Sequence, residues 1–501
     1  MRIADLVATS IAVAATRSRK AKVAALAATL AEAEREELPL VVSYLGGALL
    51  QRRTGLGWRG LQTMPPPASA PSLTVTEVHE SFDQLAALSG SGSQQARASA
   101  VASLFGRATE TEQAWLRGLV TGEVRQGALD ALAQEALAAA AGVSLKAVRR
   151  ATMLSGSTVA VARAAFEGEE ALAAVGLEVG RPVLPMLASS APDVAAAFAK
   201  LAPSGGRVAV DTKLDGIRIQ VHRSGDEIRI ATRSLDDITH RLPEVVALAR
   251  SLPAERFVLD GEAIALDDDG RPRPFQETAS RTAQDSGVAV TAYFFDLLHL
   301  DGRDLLDAPG EERLAALTGL VPEESLVARL VTDDPAAAEA FAARVVDAGH
   351  EGVVVKSLAA AYDAGRRGAG WVKVKPVHTV DLVVLAVEWG SGRRKGWLSN
   401  IHLGARDPGT GGFVMLGKTF KGMTDSVLTW QTARFLELET RRDSHTVYVQ
   451  PLQVVEVAFD GVQRSTRYPG GVALRFARVI RYRDDKASDE ADTIGSVRGL
   501  L

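Results

Sequence analysis

A chain of 501 residues is too long for one ordinary domain, so its length predicts roughly two to four hydrophobic cores. Hydrophobic residues make up 47% and charged residues 24%, which is typical of globular proteins, and no run approaches the ~18 uninterrupted apolar residues of a membrane span. Cysteine is absent, which excludes disulfides, thiol nucleophiles and cysteine-ligated zinc. The net charge of -4 means that any nucleic-acid contact must come from local basic clusters.

The first third of the chain has a helical pattern. Its N-terminus lacks a basic start followed by a continuous apolar run, so we expect no secretion signal and a cytoplasmic location. Residues 1 to about 175 are rich in Ala and Leu, and over 129–154 apolar residues recur every three or four positions. The segment TMPPPASAPS (63–72) predicts a loop, and the prolines of 181–192 predict a domain boundary.

From about residue 205 the pattern changes to short segments in which polar and apolar residues alternate. This period of two predicts strands. The segments concerned are RVAVDTK (207–213), IRIQVHR (217–223), EIRIATR (227–233) and RFVLDGEAIAL (256–266). The SGDE at 224–227 fits a hairpin turn, and helical intervals at 311–320 and 336–349 make this region mixed α and β. Beyond residue 376, several strands with little helix suggest a small barrel.

The most informative segment is VAVDTKLDGIRIQVHR (208–223), which places Lys213 at the end of an apolar strand before an Asp-Gly turn. A lysine held partly out of water next to other cations has a lowered pKa, which supplies the neutral amine that a nucleophile needs. Alternation places Arg218 on the face opposite Ile217 and Ile219, where it is free to meet a polar ligand. The alternative is an ordinary surface turn between two strands.

Further charged positions follow on later strands. FVLDGEAIAL (257–266) places Asp260 and Glu262 on one strand face, where a charge is costly unless it meets a metal or a hydroxyl. The alternative is an edge strand with a solvated acidic face. GRRGAGWVKVKP (365–376) places Lys373 and Lys375 on one face, without an obvious carboxylate partner, which suits a triphosphate. A solvated strand face is the alternative there, as it is for the arginine-rich segment 474–486.

Together these segments resemble the covalent nucleotidyltransferases, the family of DNA ligases, RNA ligases and mRNA capping enzymes. The family has a Lys-x-Asp-Gly nucleophile motif followed by further collinear motifs. The matching segments, in the family's order, are KLDGIR (213–218), TRS (232–234), LDGEA (259–263), YFFDLLHL (293–300), EGVVVK (351–356), WVKVK (371–375) and RYRDDK (481–486). The helical first third, including GEVRQGALDALAQEAL (122–137), resembles the DNA-binding domain of ATP-dependent DNA ligases.

The resemblance implies a multidomain fold and a role for each motif residue. It implies an all-α N-terminal DNA-binding domain over 1–180, an α+β nucleotidyltransferase (adenylation) domain over 181–376 and a C-terminal β-barrel OB-fold over 377–501. Lys213 would take AMP from ATP and pass it to the 5′-phosphate of nicked double-stranded DNA, with Mg²⁺ offsetting phosphate charge. The implied nucleotide contacts are Asp211 (adenine edge), Arg218 and Glu262 (ribose), Arg233 (phosphate), Phe295 (adenine stacking), and Lys373, Lys375 and Arg367 (phosphate), with Glu262 and Glu351 near the metal.

Two positions depart from a simple match. The family usually has Glu two residues before the lysine, where this chain has Asp211, and Arg366 competes with Arg367 for the phosphate contact. NAD-dependent ligases normally carry a four-cysteine zinc module, which this chain lacks, so ATP is preferred. Capping enzymes and RNA ligases remain the alternative enzymes, and a non-catalytic DNA-binding protein on a ligase scaffold is the alternative class. The implied enzyme is a monomer with no membrane partner.

Overall fold

The computed structural model describes residues 1–501 except 52, 125–129, 204, 284–287 and 364–366. The chain folds into two compact units, Met1–Val374 and Lys375–Leu501. Among the described residues, no helix combines the length and the apolar character needed to cross a membrane.

The first unit begins with a helical region around one core. Its helices, in chain order, are α1 (Ile3–Ala15), α2 (Arg19–Glu32), α3 (Leu38–Leu45), α4 (Val75–Ala87), α5 (Ser93–Gly106), α6 (Glu110–Thr121), α7 (Asp130–Ala141), α8 (Leu145–Ser155), α9 (Ala162–Glu167) and α10 (Glu169–Ala173). Local sequence starts several of them: Thr74 and Thr109 cap α4 and α6, each with a glutamate three residues later that closes a capping box. The helical stretch predicted over 129–154 is two helices, because Gly142 adopts a φ of +68° and Ser144 caps α8.

The described residues in the rest of the first unit form two five-stranded sheets. Its strands are β1 (Leu187–Ser190), β2 (Val208–Lys213), β3 (Ile217–Ser224), β4 (Glu227–Thr232), β5 (Arg256–Ile264), β6 (Thr291–Leu300), β7 (Arg303–Asp304), β8 (Arg329–Thr332), β9 (Gly352–Ser357) and β10 (Arg367–Val374). Its helices are α11 (Val194–Leu201), α12 (Pro243–Ser251), α13 (Phe275–Ala283), α14 (Gly310–Leu320) and α15 (Pro335–Asp347). The strand orders are β1-β10-β9-β2-β8 and β4-β3-β5-β6-β7.

Each sheet buries one apolar face under helices. Valines from β2, β9 and β10 pack with residues of α11 and α15. Ile219, Leu259 and Phe294 of the second sheet pack with α12 and α14. Because strand side chains alternate, the opposite faces of both sheets remain for polar residues. The predicted hairpin is confirmed: Ser224 pairs with Glu227, and Gly225 takes a φ of +61°.

A buried polar cluster holds the segment that connects the helical region to the sheets. The Gly180 N–H donates to Nδ1 of His222 over 3.0 Å, and His222 Nε2 lies 2.8 Å from Gln220 Oε1. Gln220 Oε1 also accepts from the Val183 N–H at 2.8 Å. Burial lowers the pKa of His222 to about 3, because the charged ring would lose its hydration, and the nearby positive charge of Arg229 acts in the same direction.

The second unit contains a curled seven-stranded sheet, a separate two-stranded sheet and two helices. Its elements are β11 (His378–Trp389), β12 (Leu398–Asp407), β13 (Gly412–Thr419), α16 (Asp425–Glu437), β14 (Glu439–Arg442), β15 (Thr446–Val449), β16 (Val454–Phe459), β17 (Gly461–Arg464), β18 (Val472–Arg475), β19 (Arg478–Arg483) and α17 (Ile494–Arg498). The long strand β11 pairs with β12 on one edge and with both β15 and β16 on the other, which bends the sheet around its core. Helix α16 was not predicted from the sequence.

Candidate active site

The polar faces of the two sheets in the first unit carry the residues singled out by the sequence motifs. On β2, Asp211 and Lys213 share a face, and β9 separates them from β10. Asp211 and Lys373 both pair with Val354 of β9, so their side chains lie in one row across three strands, about 10 Å apart along the sheet. The first sheet therefore presents a carboxylate and two amines on the face that α11 and α15 leave open.

Lys213 is the last residue of β2, a strand with neighbours on both sides. Its side chain is about one-fifth exposed and forms an ion pair with Glu351, the residue just before β9. The Glu351 N–H also donates to the Lys213 carbonyl oxygen over 3.2 Å. Backbone and side-chain contacts thus fix the amine and the carboxylate of these two motif residues together.

The turn after Lys213 lies directly on β5. A Cβ atom at Gly216 would stand 2.3 Å from the Ala263 carbonyl oxygen, so only glycine permits this approach. The Gly216 N–H donates to Glu262 Oε1 over 3.2 Å. Burial raises the pKa of Glu262 to about 7, against the opposing effect of Arg218 and Lys213. Glu262 is therefore a carboxylate poised to gain a cation.

Arg218 differs from its expectation as a side chain free to meet a ligand. It makes a two-pronged ion pair with Asp260, with Nε–Oδ1 at 3.0 Å and Nη2–Oδ2 at 2.6 Å, and its Nη1 donates to the Met186 carbonyl. Asp260 also accepts from the Tyr362 hydroxyl at 2.6 Å. The sequence predicted that the charge of Asp260 would need a metal or a hydroxyl nearby. The Tyr362 hydroxyl fills this role, and Arg218 supplies a positive charge that balances the carboxylate. Burial would lower the pKa of Arg218, but Asp260 outweighs it and raises that pKa.

Asp211 is buried and engages two cations. Arg329 of β8 reaches both of its carboxylate oxygens, with Nη2–Oδ2 at 2.7 Å, and Lys356 Nζ lies 2.8 Å from Oδ2. Burial would raise the pKa of Asp211, but Lys356 and Arg329 hold it below its usual range. Lys356 ends the motif segment EGVVVK (351–356), to which no role for this lysine was attached. Arg329 was not predicted, because nothing near LVARLVT (326–332) signals a partner 118 residues away.

Phe295 of β6 lies among cations and a second aromatic ring. Its ring centroid is 5.9 Å from that of Trp371 in an edge-on arrangement, 4.5 Å from Lys356 Nζ and 5.5 Å from the Arg218 guanidinium. Its carbonyl oxygen accepts from Arg329 Nη2 at 3.0 Å and from Lys356 Nζ at 3.2 Å. Sequence reasoning gave no role to Trp371, which is buried.

The remaining predicted nucleotide contacts are less closely grouped. Arg233 lies exposed in the turn after β4. Arg367 begins β10, but its side chain, like the whole of Arg366, lies outside the described part of the chain. Lys375 belongs to the second unit, where it forms an ion pair with Asp460. The expectation that this lysine lacks a carboxylate partner is therefore wrong.

The basic C-terminal segment is neutralised locally within the second unit. Arg481 pairs with Glu456 at 2.7 Å, and Lys486 with Asp381 at 2.6 Å. Arg483 reaches Asp381 at 3.1 Å and Asp485 at 2.7 Å. The sequence shows a dense run of cationic residues. In the fold, each of these three cations has an acidic partner, which comes from β11, from β16 or from the segment itself.

Comparison with known proteins identifies the family. Three family models match this chain. The model described as "DNA ligase N terminus" matches residues 61–138, "ATP dependent DNA ligase domain" matches 185–375, and "ATP dependent DNA ligase C terminal region" matches 394–486. A "Probable DNA ligase" from Nocardioides sp. is 72% identical over 504 residues, covering 100% of this chain and 99% of the relative. Another from Kineococcus radiotolerans is 66% identical and covers 100% of both chains.

A solved structure supports the fold. The structure named "Pmar-Lig_PreS3" superimposes with a TM-score of 0.65 over 95% of this chain and 99% of that chain, at 17% identity. The three matched family regions, together with the cleft between the polar faces of the two sheets in the first unit, define a nucleotidyltransferase of the DNA ligase type. The chain belongs to the ATP-dependent DNA ligase family.

Proposed function

We propose that this chain seals nicks in double-stranded DNA, using ATP and a covalent adenylate on Lys213. The observation that carries the proposal is the position of Lys213, whose side chain points from the end of a central strand to Glu351, near the half-buried carboxylate of Glu262. A lysine nucleophile needs a fixed position and groups that stabilise charge on the phosphate it attacks. Lys373, on the same sheet face, provides such a charge.

The reaction proceeds by three displacements at phosphorus. In the first, the Lys213 amine loses a proton, its nitrogen bonds to the α-phosphorus of ATP, and the bond to pyrophosphate breaks. In the second, a 5′-phosphate oxygen of the nicked strand displaces the lysine nitrogen and takes AMP. In the third, the adjacent 3′-hydroxyl attacks that 5′-phosphate, loses its proton and releases AMP.

The residues around Lys213 have separable tasks in this proposal. Phe295 stacks on the adenine, and Asp211 faces the edge of the base. Contacts with Lys356 and Trp371 fix the orientation of the Phe295 ring. Glu262 and Arg218 line the ribose side, with Arg218 acting from its ion pair with Asp260. Lys373 and Lys375 offset charge on the α-phosphate, and Arg233 and Arg367 contact phosphates.

Two carboxylates suit Mg²⁺ at this site. The described residues contain no cluster of three or more acidic, His or Cys side chains able to hold a metal alone. Mg²⁺ normally keeps several waters and uses one or two carboxylates together with substrate phosphates, which fits Glu262 and Glu351. Burial leaves Glu262 with a pKa of about 7, so a cation beside it is stabilising. Bound Mg²⁺ would offset charge on the phosphate oxygens.

The DNA substrate requires surfaces beyond the cleft. In the second unit, Phe476 is 60% exposed and sits in the left-handed backbone region at φ 55°, which is costly for a bulky residue. Lys421 Nζ lies 5.6 Å from its ring, and the neighbouring Phe420 is 55% exposed. Exposed aromatic rings flanked by cations are typical of nucleic-acid surfaces, and we assign this patch to the duplex.

The domain arrangement we propose follows the family. Residues 1–180 form an all-α DNA-binding domain, 181–376 the adenylation domain and 377–501 an OB-fold, and each contributes to binding the nicked duplex. A monomeric enzyme in the cytoplasm stays a prediction.

Labelled ATP tests the proposal. The purified chain incubated with α-labelled ATP and Mg²⁺ should retain label that stays with the denatured protein, and nicked duplex should be sealed with ATP but not with NAD. Lys213→Ala should take up no label, while Lys200→Ala, an exposed lysine of α11, should behave as wild type. Labelling of the Lys213→Ala protein, or none in the wild type, would overturn the proposal.

A further inference from the structure

The buried ion cluster around Asp211 contains an arginine that no nucleotidyltransferase motif includes. Arg329 opens β8, the edge strand of the first sheet, and its side chain is 13% exposed. It points across the polar face of the sheet to Asp211 on β2, its register partner. The Arg329 side chain therefore points into the polar face of the sheet, although a residue on an edge strand could also point into solvent.

Arg329 holds Asp211 through a planar two-point contact. Its Nε and Nη2 engage Oδ1 and Oδ2 of the carboxylate, with Nη2–Oδ2 at 2.7 Å. Such a fork fixes the plane of the carboxylate as well as its position. Lys356 binds the same carboxylate as a single point at 2.8 Å, which fixes no plane. The orientation of Asp211 thus depends on Arg329.

The orientation matters because Asp211 is shorter by one methylene than the glutamate usual at this position. The edge of adenine offers its 6-amino group as a hydrogen-bond donor, and a carboxylate is the matching acceptor. A short side chain reaches such a donor only along a narrow range of directions. Arg329 also donates to the Phe295 carbonyl at 3.0 Å, which ties the acceptor to the strand that carries the stacking ring.

We propose that Arg329 is a positioning residue for adenine recognition, which acts by holding the carboxylate of Asp211 toward the 6-amino group. This inference rests on the proposed function, since it concerns the same nucleotide site. Arg329 itself touches no reacting atom. Its contribution appears in the binding of the base and in the choice among purines, and leaves phosphate chemistry to Lys213 and its neighbours.

The test compares ATP with purine riboside triphosphate, which lacks the 6-amino group. Arg329→Gln should raise the KM for ATP in self-adenylylation by roughly tenfold to a hundredfold, the factor expected for losing a charge-assisted contact. Its KM for purine riboside triphosphate should change by less than about threefold, because that base offers no donor to Asp211. Arg329→Lys, which keeps the charge without the fork, should give an intermediate KM for ATP.

Controls separate this role from a purely structural one. Arg207→Gln removes an exposed arginine of the same unit, paired with Glu311, and should leave both KM values unchanged. The double variant with both Asp211→Asn and Arg329→Gln should have the same KM for ATP as the Asp211→Asn single variant, because Arg329 acts only through the Asp211 carboxylate. If Arg329→Gln fails to fold, the same comparison is made with Arg329→Lys.

Equal increases in KM for the two nucleotides, or no increase for ATP, would overturn the inference. The wild-type protein in the same assay reports on the proposed function: absence of label there rejects the ligase chemistry itself. Normal labelling of the wild type with an unaffected Arg329 variant rejects only the role of Arg329.

Discussion

Ion pairs occur both at the nucleotide cleft and in the basic C-terminal segment, but their burial differs. In the cleft, the Arg218 and Asp260 side chains are 15% and 1% exposed. In the segment, the Arg481 and Glu456 side chains are 60% and 20% exposed. A buried charge that loses its partner is costly, whereas an exposed charge exchanges its partner for water at little cost. The cleft therefore uses ion pairs to fix shape, whereas Arg481 of the segment stays available for another partner. Arg483 of the same segment is only 15% exposed and resembles the cleft residues in this respect.

The largest effect on activity should follow from removing the proposed nucleophile, because no neighbouring side chain can take over its reaction with ATP. Lys213→Ala should lower self-adenylylation below detection, because the attacking nitrogen is lost. Lys213→Arg keeps a positive charge beside Glu351 but not a nucleophilic amine, and should be equally inactive. Rapid-quench measurement of labelled protein checks both. Activity in the arginine variant would show that charge alone suffices.

The two kinds of ion pair should differ in their contribution to stability. Arg218→Gln leaves Asp260 buried without its cation and should lower the free energy of unfolding by about 3–5 kcal/mol. Arg481→Gln should lower it by about 0–1 kcal/mol, since both partners stay solvated. Urea unfolding of each variant measures the difference. Equal losses would show that burial does not separate the two regions.

A buried neutral group should make the first unit sensitive to acid. The pKa of His222 is about 3 in the fold and about 6.5 in an unfolded chain. Its contribution is therefore complete above pH 6.5 and declines as pH falls toward 3, by on the order of a few kcal/mol. Urea unfolding at pH 8 and pH 5 should show this loss in the wild type and a smaller one in His222→Gln. An equal loss in both proteins would assign the acid sensitivity elsewhere.

Adenylylation should depend on the charge of Glu262. Burial raises the pKa of this carboxyl to about 7, so it is protonated below that pH and a poor partner for a cation or a ribose hydroxyl. The single-turnover rate should therefore rise by about tenfold per pH unit below pH 7 and level off above it. Glu262→Gln should be slower and lose this step in its pH profile. A step that persists in the variant would belong to another group.

The smallest effect should come from the exposed patch of the second unit. Phe476→Ala should weaken binding of nicked duplex by about tenfold, with an unchanged salt dependence, because the ring carries no charge. Lys421→Ala should reduce the slope of the logarithm of affinity against that of salt concentration by about one. Leu452→Ala, which removes another exposed apolar side chain of the same unit, serves as the control. Identical binding by all three variants would remove the patch from the DNA interface.

Sequence reasoning located strands and motif residues well, since both depend on short-range pattern. The strands β2 to β5 follow directly from alternation, and Lys213 and Glu262 occupy strand positions that the motifs predict. Helix α16, which packs Leu428 and Phe435 into the core of the second unit, was missed within a region whose pattern favours strands. The C-terminal tail contains α17, which buries Ile494 and Val497 against the curled sheet.

Partners of the charged residues could not be predicted in the same way. Arg218 meets Asp260 across 42 residues of sequence, and Arg329 meets Asp211 across 118. Such pairs depend on which strands become neighbours and in what register, which a single sequence does not encode locally. The motif residues were therefore recognisable as a set, while the buried ion pairs that hold them required the fold.

The contact between Gly216 and the carbonyl of Ala263 has a consequence for how this turn tolerates change. The backbone there does not need a positive φ, so the glycine is required by volume and not by conformation. An added Cβ methyl group would lift the turn from the neighbouring strand, withdraw the amide that faces Glu262, and shift the backbone of Lys213 with it. The distance between the backbone of the turn at Gly216 and that of β5 thereby determines the position of the Lys213 side-chain nitrogen.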